Sequence, residues 1–355
     1  MFRSSDDIVP SLISPPSTPP KKIATPYKIG RRFTAQRHLP SSLECTSNFP
    51  REGTFGDSLK DASQLDWCLS HPPNTRGTLM DEYRTIEIEH LVRTGDECGA
   101  QIVLLRNGLI AKIYDPLFYN FHYDYDWAPP KNPKKRNVTL IADNEYIAET
   151  AAYLELQKTT GAIGVITPAF HGSWIFNVPV AGRSGSRRVQ MILLEHVIGT
   201  SMRDMNPQAL LDGERENIMA KVIEAESDLV VAGIRHLDFE ARNIILSRLT
   251  PSSGHRVPAN MAPFADPDLR VCIIDFALCV ILPNVGDEPS SFQVHNPLFS
   301  WGGQPLWSNL GWLPPSEEAE EWMWGLWGEG GKDGKYVAVE TDPRSSTVVV
   351  KRSSL

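Results

Sequence analysis

The chain has 355 residues, a formal net charge of −8 and 41% hydrophobic residues. That length suits one large two-part domain or two small ones, and the hydrophobic content excludes wholesale disorder. The acidic balance gives no pull toward nucleic acid, and no run of about 18 apolar residues exists to span a membrane.

Cys45, Cys68, Cys98, Cys272 and Cys279 are scattered with no CxxC pair, which fits free thiols in a reducing compartment. The opening MFRSSDDIVPSLISPP is polar and broken by proline, so no secretory leader is expected; a cytoplasmic or nuclear location is. Residues 1–75 are rich in Ser, Pro and Thr without a sustained period, and a disordered tail is expected there. Ser14-Pro15 and Thr18-Pro19 stand just before Lys21 and Lys22. Phosphate at either would add charge beside those lysines, although a plain solvated linker is the simpler reading.

Regular structure is predicted from about Thr85, within an N-terminal unit spanning 76–198. IEIEHLV (86–92) alternates with period two, and IVLL (102–105) and LIAKIY (109–114) are short strands joined by an Asn107-Gly108 turn. The turn before them, RTGDECGAQ, carries Gly95 and Gly99. Residues 115–141 form an irregular insert in which aromatics interleave with Lys131, Lys134, Lys135 and Arg136; a surface loop is the simpler reading over a nucleic-acid surface. Asn144–Lys158 reads as a helix, VITPAFHGSWIF and RRVQMILLEHV as strands. A second unit follows, spanning 199–330. Its helix runs from Asn206 through Ile218, Val222, Ala225 and Leu229 and ends at Gly233.

The stretch GIRHLDFEARNIIL (233–246) then brings His236, Asp238 and Asn243 together, followed at once by an apolar run. After a loop at 247–269 comes VCIIDFALCV, a buried-strand pattern holding one acid, Asp275. A carboxylate inside such a run is costly unless it is paired or binds something. Lys112 inside LIAKIY poses the same question, and Glu149 on the next helix is the expected partner, with Glu145 one turn earlier as the alternative. Beyond Ala277 the chain is rich in tryptophan (Trp301, Trp307, Trp312, Trp322, Trp324, Trp327), which suits a compact core or a protein-partner surface at 301–327. Residues 331–355 read as a polar tail.

This order of parts resembles the protein kinase-like superfamily, whose catalytic loop reads H-R-D-x-x-x-x-N and whose metal loop reads D-F-G. Here they read His236-Leu237-Asp238 with Asn243, then Asp275-Phe276-Ala277. The resemblance covers roughly residues 85–280 and implies an α+β, bilobal fold with a small β-rich N-lobe and a shortened, mainly helical C-lobe. It implies ATP and Mg2+ as cofactors. Lys112 would hold phosphate, paired with Glu149, and Gly95 and Gly99 would cover it. Glu195 to Val197 would be the hinge at adenine. Asp238 would serve the acceptor hydroxyl, and Asn243 and Asp275 would hold the metal. ETAAYLEL (149–156), the short hinge ending at Gly199 and the Trp-rich segment resemble atypical fungal kinase-like proteins and the aminoglycoside or choline phosphotransferases.

Four departures from the family pattern stand out. Leu237 replaces the loop arginine, Glu240 stands where protein kinases carry a lysine, Ala277 replaces the D-F-G glycine, and no A-P-E motif follows. Two acids, Asp96 and Glu97, sit inside the glycine turn, where they would repel a triphosphate. The implied function is ATP- and Mg-dependent phosphoryl transfer to a hydroxyl of a protein or a small molecule. The alternative is a pseudokinase that serves as a nucleotide-sensing scaffold or interaction module.

Overall fold

The computed structural model describes residues 25–41, 59, 62–74, 76–123, 134–158, 162–180, 182–249, 256–258, 269–282, 296–299, 301, 305–331, 334–342 and 347–351. The Ser-Pro and Thr-Pro sites of the N-terminal segment lie outside these residues.

In chain order, strand β1 (Arg32–Pro40) and helix α1 (Gln64–Ser70) precede β2 (Gly77–Arg93), β3 (Gln101–Leu105) and β4 (Leu109–Tyr114). A two-residue pair, β5 (His122–Tyr123) with β6 (Lys134–Lys135), leads into helix α2 (Val138–Leu156). Strands β7 (Phe170–Pro179) and β8 (Ser186–Glu195) follow. Six strands close a barrel in the order β1-β2-β3-β4-β8-β7, every pairing antiparallel. Val103, Leu105, Ala111, Ile113 and Val189 fill it. Strand β8 is buried on both faces, which is why MILL is a continuous apolar run and not an alternating one.

The barrel closes through a strand that lies in the expected tail. In β1 only Phe33, Ala35 and His38 are buried, and a bulge between Gln36 and His38 breaks the period of two. Arg, Gln and His at neighbouring positions hide what remains of the alternation. Helix α1 also falls inside 1–75, capped by Ser63 and burying Trp67 and Cys68. The segment before β1 is tied down by a buried cluster: Tyr27 donates to Asp115 Oδ2 at 2.6 Å, and Arg187 grips both oxygens of Asp115 at 2.5 Å each. Helix α2 starts at Val138, six residues before the predicted start, because Asn137 caps it by accepting from the Leu140 N–H. The irregular insert therefore stops at 137, and not at 141.

The C-terminal half holds β9 (Thr200–Ser201), α3 (Asp212–Val231), β10 (Ile234–His236), β11 (Ile244–Leu249), β12 (Arg256–Pro258), β13 (Leu269–Ile273) and β14 (Cys279–Ile281). Helices α4 (Pro305–Asn309) and α5 (Ser316–Trp327) and a hairpin of β15 (Val339–Thr341) with β16 (Val348–Val350) complete it. It is mixed, and not mainly helical as expected. Its strands are two to six residues long, too short to show a period in the sequence. The hairpin likewise falls inside the expected polar tail.

Four of the six tryptophans in the Trp-rich segment are core, while Trp322 and Trp324 are half-buried. Trp301, Trp307, Trp312 and Trp327 are each at most 2% exposed. Trp301 donates its indole N–H to Glu226 and Trp327 to Glu224, both on α3. A partner surface built from these four rings is thereby excluded, because their faces are already covered. The described cysteines Cys68, Cys98, Cys272 and Cys279 are free thiols. No helix among the described residues is long and apolar enough to cross a membrane.

Candidate active site

Lys112 sits mid-strand in β4 with its side chain 5% exposed. Its register partners are Ile102 on β3 and Ile192 on β8, so these side chains share the outer barrel face that α2 and Asp275 approach. The ammonium bridges two carboxylates: Glu149 Oε2 on α2 at 2.5 Å and Asp275 Oδ1 at 2.6 Å. Glu149 is fully buried and takes a further hydrogen bond from the Tyr114 hydroxyl at 2.6 Å. Glu145, the alternative partner, instead accepts from Tyr119. Burial alone would depress the Lys112 ammonium, but Asp275 and Glu149 outweigh it and raise its pKa. Burial opposes the Asp275 carboxylate too, and Lys112 still holds it below the usual range. Glu149, with no solvent contact, is pushed up by burial.

Asp275 stands two residues beyond the end of the buried β13 and has φ +68°, left-handed backbone that non-glycine residues rarely adopt. Such a conformation costs about 1–3 kcal/mol and persists where surroundings over-determine it. Here the surroundings are visible. The Ile274 N–H bonds to the Asn243 carbonyl at 2.9 Å, which sets Asp275 beside the loop before β11. His236 ties the two loops together. Its Nδ1 accepts from the Asp238 N–H at 3.1 Å and its Nε2 lies 3.1 Å from the Ile274 carbonyl. A carbonyl only accepts, so the ring is the neutral Nε2–H tautomer, and burial accordingly lowers its pKa.

Asn243 completes the group. Its Nδ2 donates to the Asp238 carbonyl at 2.9 Å and to Asp238 Oδ2 at 3.0 Å. With both donors committed, Oδ1 is left as an acceptor turned away from Asp238. Asp238 Oδ1 is held by Arg242 at 2.6 Å, and Arg242 also pairs with Glu240. Phe239, next in the loop, packs edge-on against Trp301 at 5.9 Å and on Trp307 at 6.0 Å. The tryptophan segment thus holds the Asp238 loop in place.

The glycine turn takes a different form from the one expected. Gly95 and Gly99 lie between β2 and β3, with φ +133° and +69°. The fully buried Gln101 side chain fills the turn: its Oε1 accepts from the Gly95 N–H at 2.7 Å, and its Nε2 donates to the carbonyls of Gly95 and Gly99. The Gly99 N–H goes to the Phe118 carbonyl. Both glycine amides are therefore already used. At the hinge, the Glu195 carboxylate is claimed by Arg270 at 2.6 Å and by the Ala169 N–H at 3.0 Å, and its own N–H bonds Ala169. Val197 is half-buried, and its backbone groups make no hydrogen bond among the described residues.

Sequence reasoning missed three residues. Gln101 read as the last polar residue of the turn and carried no further signal. Tyr114 read as one more aromatic. Arg93 escaped because two bulges in β2 shift the register, placing it opposite Ile102 and so in one row with Lys112. Its guanidinium adds to the attraction that lowers Asp275.

No known protein family and no curated protein matches this sequence. Among solved structures the chain is similar to WaaP in its complex with acyl carrier protein, at 15% identity and a TM-score of 0.32 over 55% of this chain. It spans 65% of the length of that chain. A likeness at that level decides neither fold nor function.

Proposed function

We propose that this chain is an ATP- and Mg-dependent phosphotransferase of the protein kinase-like superfamily that transfers the γ-phosphate to a hydroxyl. The observation that carries the reading is the buried Lys112 ammonium bridging Glu149 and Asp275, facing a loop in which Asn243 orients Asp238. A structural core has no use for two buried or half-buried carboxylates on one lysine, since such groups cost desolvation energy that an apolar core avoids.

Magnesium fits the donors present. Mg2+ takes one or two protein oxygens and fills its other positions with water and substrate phosphates. Asp275 offers an anionic oxygen and Asn243 its uncommitted Oδ1. When bound, the ion would neutralise phosphate charge. Lys112 would hold the phosphates of ATP, kept fully charged by its two carboxylates. Arg93, in the same row, would supply a cation where the glycine amides are occupied. The backbone of Val197 is available to the adenine edge. Asp238 would accept the proton of the attacking hydroxyl.

Two features favour the second reading, a pseudokinase that senses nucleotide without turnover. Gln101 closes the turn that would cover phosphate, and Arg242 covers the Asp238 carboxylate. The test is a melting-temperature titration with ATP, with and without magnesium, combined with ATP turnover on Asp238→Asn. A ligand that binds only the folded state raises stability by about 2.7 kcal/mol at a hundredfold excess over its Kd. A magnesium-dependent shift with turnover lost in Asp238→Asn supports the phosphotransferase. A shift without wild-type turnover supports the pseudokinase, and no shift at millimolar ATP refutes both.

A further inference from the structure

Helix α2 meets the barrel through two buried polar side chains that the proposed function does not use. Asp143 on α2 is 7% exposed, and Gln190 on β8 is fully buried. Both reach the backbone of one residue, Asn74, in the segment between α1 and β2. The Asn74 N–H donates to Asp143 Oδ2 at 2.9 Å, and Gln190 Nε2 donates to the Asn74 carbonyl at 2.9 Å. The two remaining oxygens, Asp143 Oδ1 and Gln190 Oε1, are buried and have no hydrogen-bond partner among the described residues. We infer that Asp143, Gln190 and the Asn74 backbone form a proton-operated latch. A proton on Asp143 Oδ1 that bridges to Gln190 Oε1 closes it, and loss of that proton loosens residues 71–74 and the first half of α2 from the barrel.

The argument starts from the two orphan oxygens. Each is an acceptor, and two acceptors cannot answer each other; a buried oxygen without a donor has lost its water and gained nothing in return. Turning the Gln190 amide over does not help, because its oxygen would then face the Asn74 carbonyl. One proton removes the conflict. The carboxylic acid donates through Oδ1 to Gln190 Oε1 and still accepts from the Asn74 N–H through Oδ2. The two side chains together then offer Asn74 one acceptor and one donor, as a residue of a neighbouring strand does in a hydrogen-bonded antiparallel pair. Without the proton, a buried negative charge lies beside an amide oxygen, and opening the contact to water relieves it.

The direction of the switch follows from the surroundings. Burial pushes the Asp143 carboxyl up to about 6, against the opposing pull of the Asn74 N–H and the Gln190 amide. The titratable and charged groups around it are Tyr146 on the same helix, His38 and Arg37 on β1, Tyr114 on β4, Arg188 on β8, and His71 and Arg76 on either side of Asn74. None of these is among the causes that set the Asp143 carboxyl. The closed latch therefore binds a proton more tightly than the open, solvated one does. Closure is favoured below about pH 6 and is lost as pH rises through that value. With an ordinary carboxyl of about 3.9 in the open form, the closing equilibrium falls about tenfold between pH 5 and pH 8.

Hydrogen exchange of the full chain tests the latch, read by mass spectrometry at pH 5, 6, 7 and 8 and scaled for the intrinsic exchange rate at each pH. Protection in peptides spanning Asn74 and residues 138–147 is expected to fall about tenfold from pH 5 to pH 8, while α3 at 218–229 serves as the unchanged control. Asp143→Asn keeps an acceptor for the Asn74 N–H and gives Gln190 Oε1 a permanent donor. Its protection is expected to stay at the wild-type pH 5 level throughout. Gln190→Met removes both the acceptor of the proton and the donor to Asn74, and is expected to show the wild-type pH 8 level at every pH. Circular dichroism verifies the fold of each variant. Wild-type protection at Asn74 that does not change with pH overturns the latch. A tenfold pH dependence that survives in Gln190→Met overturns it as well, even where Asp143→Asn does not fold.

Discussion

Replacing Lys112 by Met strips the only cation that pairs with Glu149 among the described residues, and the structure sets the size of the effect. The lysine side chain is 5% exposed, Glu149 is fully buried, and they meet at 2.5 Å. Breaking a buried ion pair by removing one partner costs about 3–5 kcal/mol. The Tyr114 hydroxyl still donates to Glu149, and Asp275, 30% exposed, is solvated by water, so the lower end applies: about 3 kcal/mol. With a urea m-value of about 3 kcal/mol/M, the unfolding midpoint falls by about 1 M. The loss depends on pH. Burial already raises the Glu149 carboxyl, and without Lys112 the Tyr114 hydrogen bond is left to offset it. A carboxyl with a folded-state pKa above its unfolded one binds more protons when folded, so stability falls as pH rises through that interval. Lys112→Met is therefore more destabilising at pH 8 than at pH 5. Adding Glu149→Met recovers at least about 1 kcal/mol, because no orphaned charge remains. Urea titrations at both pH values measure all three quantities. A single variant within about 1 kcal/mol of wild type at pH 8, or a double variant that is worse, refutes the ion-pair argument.

Three more outcomes follow from the same geometry. Asp115→Asn leaves the buried Arg187 guanidinium without its bidentate partner and should cost about 3 kcal/mol by urea unfolding; protease cleavage ahead of β1 should accelerate with it. Burial pushes the Asp143 carboxyl up to about 6, against the Asn74 N–H that bonds it. Its contribution to stability should therefore fall by about 2 kcal/mol between pH 4 and pH 6, and Asp143→Asn should flatten the curve there, as read from unfolding midpoints across that range. Arg93→Ala should weaken magnesium–ATP by roughly tenfold, about 1.4 kcal/mol, with unfolding in the absence of ligand unchanged; an unaltered ATP titration would show that Arg93 does not face the phosphates.

The wild-type site was legible where local rules are strict. Lys112 and Asp275 each stood out as a charge in an apolar run, and desolvation requires such charges to be answered. His236, Asp238 and Asn243 stood out through spacing, because a short loop between two strands brings residues two and five positions apart into contact. The Asn107-Gly108 turn and Gly233 marked element ends for reasons of backbone conformation that one residue type alone meets. Gly95 and Gly99 show where that logic stopped. Glycine permits a turn, but which group fills the turn is a matter of neighbours, and Gln101 filled it.

The sequence by itself marked the second half of β2, the strands β3 and β4 and the helices α2 and α3, because hydrophobic period and turn chemistry are local; the α+β class came with the family resemblance. Only the tertiary structure decided that β1 closes the barrel, since its pairing joins residues separated by about fifty and by about 140 positions. It also decided that Trp301, Trp307, Trp312 and Trp327 are core, that Lys112 meets Glu149 and not Glu145, and that two bulges slide Arg93 along the register to stand opposite Ile102, in one row with Lys112. Each of these depends on which face of one element meets another. A bulge of one residue reverses that choice without leaving a mark in composition or period.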